Sequence, residues 1–151
     1  LPRTDGGLTL ELGANPDLLA ELGRRVDGLD EEGTPTRRPL APRPVLVGFA
    51  AETGDLSRAA AKLARKRVDL LVANDVAEAG SGFGTPTNRV TILAADGTEE
   101  ALPLLPKREV ADRILDRVVA ALDARDAAAL DARDAAAQTG GDEPPQEIRV
   151  P

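Results

Sequence analysis

Apolar and polar residues alternate at period two over Leu8-Thr9-Leu10-Glu11-Leu12, the pattern of a half-buried or edge strand. A helix is predicted directly after it. In Asn15-Pro16-Asp17-Leu18-Leu19, Asn15 can cap, Pro16 suits the first helical position, and the Asp17 carboxylate is favoured near the positive end of the helix dipole. Leu18, Leu19, Leu22 and Val26 then share one apolar face. Residues 27–44 carry four Pro and several charges without periodicity, so they read as a surface loop. Val45-Leu46-Val47, ending at Gly48, and Leu70-Leu71-Val72-Ala73 are short aliphatic strands. Between them, over about residues 55–67, Leu56, Ala59, Ala60 and Leu63 recur at helical spacing. Strand, helix, strand predicts a parallel crossover unit. After a glycine-rich loop at 75–88, Arg89–Leu93 and Ala101–Leu104 alternate around Asp96-Gly97, which predicts a hairpin. A long helix starts near Lys107, with Val110, Ile114, Leu115, Val118, Val119 and Leu122 as its buried side.

The continuation of that helix is a repeat: ALDARDAA at 121–128 recurs unchanged at 129–136. An eight-residue period fits neither a heptad nor a solenoid, so a tandem duplication has lengthened an Ala-rich helix of good propensity and little to bury. The polar, Pro-rich stretch at 139–151 reads as a disordered tail. The fold class expected is α/β, a Rossmann-like and mainly parallel sheet with flanking helices and a β-hairpin.

Composition narrows the chemistry. At 151 residues the chain suits one compact domain. A net charge of -7 with both signs interspersed argues against a nucleic-acid or membrane-surface binder, so an anionic ligand must meet a local cluster of cations. With no Cys and no His, disulfides, thiolate chemistry and imidazole catalysis are unavailable, and zinc loses its usual ligands. No apolar run approaches the roughly 18 residues of a membrane span, and the expected location is cytoplasmic.

Two biases single out particular residues. Phe49 and Phe83 are the two aromatics, and Lys occurs at Lys62, Lys66 and Lys107 in a chain that otherwise uses Arg. Ligands of open α/β sheets sit beyond the carboxyl ends of the strands. Phe49, just past a strand and bracketed by Gly48 and two Ala, is placed to pack on a ligand such as a nucleobase, although an ordinary core role is the commoner fate of an aromatic. Lys62 and Lys66, four apart, share a helix face as compact point charges suited to phosphate oxygens; a solvated charged face is the alternative. The exposed amides of a helix start at Asn15–Leu18 offer an anion or polar-ligand site. Gly80-Ser81-Gly82-Phe83-Gly84 lacks the endings of a phosphate loop and reads as a flexible flap. Glu52 and Asp75 are candidates for holding magnesium or orienting a hydroxyl, with solvated or capping roles as the simpler reading.

NPDLLAELG at 15–23, VGFAAETGD at 47–55, KLARKRVDLLVANDV at 62–76, GFGTPTNRVTIL at 82–93 and KREVADRIL at 107–115 together resemble the ligase half of the bifunctional phosphopantothenoylcysteine decarboxylase/phosphopantothenate-cysteine ligase family. The resemblance implies coenzyme A biosynthesis: the carboxylate of 4'-phosphopantothenate attacks the α-phosphate of CTP to give an acyl-cytidylate and pyrophosphate, and the cysteine amine then displaces CMP. It places Asn15, Pro16, Asp17 and Leu18 in the nucleotide pocket, Phe49 against cytosine or ribose, Lys62 and Lys66 on the triphosphate, and Asn74 in the substrate pocket. Mg2+ is expected with the phosphates, and FMN only in a decarboxylase half absent from this chain. The family pairs subunits through a small antiparallel sheet, which makes the Asp96-Gly97 hairpin a candidate homodimer contact.

By the same resemblance residues 1–122 form the C-terminal portion of the ligase domain and 123–138 a repeat extension. The family's catalytic Asn and its first strands lie upstream of Leu1, so the expectation is that this chain does not catalyse ligation alone. A non-catalytic nucleotide-binding or dimerisation remnant is the rival reading. A Rossmann-like oxidoreductase is a third, disfavoured by the missing glycine fingerprint.

Overall fold

A computed structural model of the chain describes residues 11–53 and 57–139. The expected strand at 8–12 lies outside them except for Glu11 and Leu12, which belong to no strand, and Leu56 and residues 140–151 also lie outside. The first helix, α1, runs Leu18–Asp27, so Pro16 precedes it and Asp17, not Asn15, is the cap. Asp17 has a non-helical backbone, and its Oδ1 accepts from Ala20 N at 3.1 Å, which satisfies an otherwise orphaned donor of the first turn. Gly28 closes the helix at φ 75, and its N–H reaches back to the carbonyls of Arg24 and Arg25. The inward residues are Leu19, Ala20, Gly23 and Val26; Leu18 and Leu22 point outward, against the expected face.

The crossover unit is present but shifted. Strand β1 is Val47–Glu52, helix α2 is Ser57–Lys66 and strand β2 is Leu70–Asp75; β1 and β2 pair in parallel from Val47↔Leu70 to Glu52↔Asp75. Gly48 therefore does not end the first strand. It continues the pleat because the space beside it is filled: a Cβ there would lie 2.9 Å from Leu71 Cδ1 and 3.0 Å from Leu19 Cδ2. Phe49 consequently sits in mid-strand rather than past a strand tip.

Strands β3 (Thr87–Asn88) and β6 (Leu105–Pro106) form a short antiparallel ribbon, while β4 (Val90–Ala94) and β5 (Glu99–Ala101) complete a mixed sheet of order β1-β2-β4-β5. The turn joining β4 to β5 is the one expected, with Gly97 at φ 89 and Asp96 Oδ1 accepting from Thr98 N at 2.8 Å. The second arm comes earlier than the 101–104 segment, and Val90 to Leu93 are all buried instead of alternating. Helices cover both faces of β4, which removes the polar side of the pattern. One face carries α1 and α2 over Val26, Leu46, Ala59, Val68, Leu71, Ala73 and Leu93. The other carries helix α3, Lys107–Thr139, over Leu70, Val72, Val90, Ile92 and Leu102.

Only one stripe of α3 reaches the sheet: Val110, Ile114 and Val118 pack against it, whereas Leu115, Val119 and Leu122 are exposed. Further along α3, the Arg125 guanidinium pairs with Asp69 and donates from Nη1 to the Arg43 carbonyl at 3.1 Å. Asp69 also receives Arg43 Nη1 at 2.8 Å and Leu46 N at 2.7 Å, and Asp27 receives Arg43 Nε at 3.1 Å and Arg67 Nε at 2.6 Å. This network fastens α1, the loop before β1, the turn before β2 and α3 together at the amino ends of the strands. From 126 to 138 every residue is exposed. No helix among the described residues is long and apolar enough to cross a membrane.

Candidate functional site

The carboxyl ends of β1 and β2 lie side by side, and residue alternation sorts their side chains onto the two faces. Gly48, Ala50 and Glu52 face α2. Val47, Phe49 and Ala51 face the α3 side, together with Val72 and Asn74 of β2. The structure thus divides the residues singled out above between two neighbouring places.

On the α2 side, Lys62 and Lys66 stand one helical turn apart, and each meets a carboxylate. Lys62 Nζ lies 2.6 Å from Glu52 Oε1, and Lys66 Nζ lies 2.9 Å from Asp17 Oδ1. Glu52 is only 7% exposed, so this carboxylate is a buried counter-charge and neither a solvated group nor a cap. The hydrogen bond from Lys66, then that from Ala20 N–H, holds the Asp17 carboxyl below the usual carboxylate range. Asn15, Pro16, Asp17 and Leu18 form an exposed stretch leading into α1. Gly23 sets how closely α1 meets α2, because a Cβ there would lie 2.2 Å from the Lys66 carbonyl oxygen. The register of Asp17 with Lys66 follows from that contact.

On the α3 side, Phe49, Val72, Asn74, Val90 and Val110 line a cavity of about 340 Å³ with Ala50, Ala51, Phe83 and Asn88. The Phe49 ring is 69% exposed, so it is not a core aromatic. It also does not face the two ammonium groups across a single slot, as its expected place at a strand tip implied; mid-strand alternation turns it to the opposite face. Asn74 Oδ1 accepts from Ser81 Oγ at 3.1 Å, and Ser81 Oγ in turn accepts from Arg89 N at 3.0 Å, which pins the glycine-rich loop to the end of β2. Asp75 Oδ1 accepts from Ala77 N at 3.0 Å, a capping role. Among the described residues no group of three or more His, Cys, Asp or Glu could hold a metal ion.

Two features escaped sequence reasoning. The Glu52 pairing was accessible, because counting by twos from Gly48 puts Glu52 on the helix-covered face. The meeting of Phe83 and Asn88 with Phe49 was not, since it depends on the path of a loop.

A mixed sheet with a parallel pair, its crossover helix on one face and a long helix on the other defines a Rossmann-like α/β domain. Residues 1–122 match the family described as the DNA/pantothenate metabolism flavoprotein C-terminal domain, and the chain belongs to that family. The coenzyme A biosynthesis bifunctional protein CoaBC of Bacillus subtilis (strain 168) is 42% identical over 121 residues, which cover 80% of this chain and 26% of that protein. Its namesake in Mycobacterium tuberculosis (strain ATCC 25618 / H37Rv) is 44% identical over 124 residues, covering 78% of this chain and 27% of the relative. A crystal structure of the C-terminal domain of a CoaBC protein superposes with a TM-score of 0.53 at 32% identity, over 75% of this chain and 45% of that one. The chain therefore spans about a quarter of the length of these curated relatives.

Proposed function

We propose that this chain is the nucleotide-holding portion of a phosphopantothenate-cysteine ligase, working with CTP. The observation that carries the reading is the pair of lysines one turn apart on α2, beside the exposed start of α1, in a chain of this family. Lys62 and Lys66 hold the triphosphate, Asn15 to Leu18 line the nucleotide pocket, Phe49 packs against cytosine or ribose, and Asn74 contacts the acyl substrate. For the phosphates to reach the ammonium groups, Glu52 and Asp17 must share or yield them, so nucleotide binding exchanges one set of ion pairs for another. The chemistry is nucleotidyl transfer: a phosphopantothenate carboxylate oxygen bonds to the α-phosphorus as pyrophosphate leaves, and the cysteine nitrogen then bonds to the acyl carbon as CMP leaves.

Magnesium has no protein cage among the described residues, and the oxygen-rich triphosphate is its natural ligand. FMN is assigned to the decarboxylase half of the whole protein. Among the described residues β5 ends the sheet, so its outer edge can receive a second copy, in keeping with self-association through the β4–β5 hairpin.

Calorimetric titration of the chain with CTP tests the reading. Lys66→Ala should weaken binding by roughly tenfold or more, the scale of one charge-assisted contact to phosphate. Unchanged affinity in that variant would remove the site. Pyrophosphate release with CTP and phosphopantothenate is expected to be absent for this chain alone, and its appearance would place the catalytic machinery within these residues.

A further inference from the structure

Both aromatic rings of the chain line one cavity, although they lie 34 positions apart in the numbering and on unlike elements. Phe49 projects from mid-β1, and Phe83 stands on the glycine-rich loop with 92% of its surface exposed. An exposed aromatic is ordinarily an idle surface residue. Phe83 is instead displayed by a braced backbone. Gly82 N donates to Asn88 Oδ1 at 2.9 Å, and the Gly82 carbonyl accepts from Lys107 Nζ at 3.0 Å and from Thr85 Oγ1 at 3.1 Å. Gly82 and Gly84 flank the ring at φ 97 and 74, a left-handed path open to glycine that turns the loop out and back around the one side chain. The loop expected to be a flexible flap is thus tied at its apex.

Resting on the nucleotide reading above, we infer that Phe83 is the second wall of the base subsite, so that a flat heterocycle stacks between Phe49 and Phe83. The cavity of about 340 Å³ has room for a pyrimidine ring and part of its sugar. Stacking on an aromatic face suits any base, so discrimination must come from the edge. Asn88 lines the same cavity and uses its amide oxygen on Gly82 N–H, which leaves its NH2 to donate to acceptor atoms on the ring edge, such as the adjacent O2 and N3 of cytosine. Ala50 and Ala51, with methyl groups on opposite faces of β1, both line the cavity. Among the described residues β1 is the terminal strand of the sheet, so the cavity opens along its outer edge, which α1 and the lysines approach from the other face. A nucleotide crossing that edge over two alanines places its ring and its phosphates on opposite sides of one strand.

The chain has no Trp and no Tyr, so Phe83→Trp installs a single reporter. Its emission should be quenched by CTP and by cytidine at higher concentration, and left unchanged by inorganic tripolyphosphate, which carries the charge without the ring. In parallel calorimetry, Phe83→Ala should weaken CTP by about tenfold while leaving tripolyphosphate affinity within about twofold. CTP binding that is indifferent to Phe83→Ala, or a reporter that responds equally to tripolyphosphate, overturns the inference and spares the lysine site. Loss of tripolyphosphate and CTP binding alike in the unsubstituted chain overturns both. Quenching by phosphopantothenate but not by cytidine assigns the cavity to the acyl substrate and likewise overturns the inference.

Discussion

Glu52 shows how a single residue can serve the fold and restrain the site together. Its carboxylate is buried at the end of β1 and meets Lys62 at 2.6 Å. Glu52→Gln keeps the shape but removes the counter-charge, leaving the partly buried ammonium of Lys62 without an ionic partner. Unfolding free energy should fall by about 1–3 kcal/mol, read as a lower urea midpoint at constant slope. The same change removes the competitor for Lys62, so tripolyphosphate should bind more tightly to the variant. Weaker anion binding would show that Glu52 is needed to position the amine. At this scale the sparse aromatics and lysines drew attention to two rings that the structure leaves exposed and two amines that it pairs with carboxylates. Which face each one takes was not legible, because Gly48 was read as the end of a strand that in fact runs four residues further, to Glu52. That misplaced end put Phe49 and the lysines on one side.

Among the elements, the approach of α1 to α2 is the tightest constraint. Alanine is the better helix former by roughly 1 kcal/mol, so propensity alone predicts that Gly23→Ala stabilises α1. The Lys66 carbonyl oxygen, 2.2 Å from where that methyl group would sit, reverses the sign. The variant should lower the melting temperature and also weaken CTP binding, since parting the helices moves the 15–18 stretch away from both lysines; a raised melting temperature would contradict the packing described. The three helices and strands β1, β2, β4 and β5 followed from periodicity, including the start of α3 at Lys107, whereas the short ribbon of β3 and β6 did not. Their inward faces followed less well. Leu18, Leu22, Leu115, Val119 and Leu122 are apolar at helical spacing yet exposed, because the four strands among the described residues meet only one stripe of each helix.

Across the whole molecule, carboxylates that accept hydrogen bonds from cations make the fold sensitive to acid. Burial pushes the Asp27 carboxyl up, but the hydrogen bonds from Arg67 and Arg43 outweigh it and hold the group below its ordinary 3.8; Asp17 is lowered as well. A carboxyl depressed by folding contributes stability that is fully present above the unfolded value and is lost as pH falls through the folded one. The urea midpoint should therefore hold from pH 7 to about 5 and drop below about 3.8, with Asp27→Asn shrinking the drop. An equal drop in that variant would assign the acid sensitivity elsewhere. The network behind this behaviour was hidden from sequence reading, because Arg43, Asp69 and Arg125 stand 26 and 56 positions apart along the chain. Nothing in local pattern joins them.

The duplicated octet acquires a mechanical meaning from that network. Arg125, in its first copy, rivets rod to body. Its counterpart Arg133 comes eight positions later, and at 100° per residue it has swung about 80° around the axis, so the second copy cannot repeat the fastening. The addition works instead as a boom, reaching roughly 20 Å past the rivet at 1.5 Å per residue. That length lies at the amino ends of the strands, away from the end where Glu52 meets Lys62.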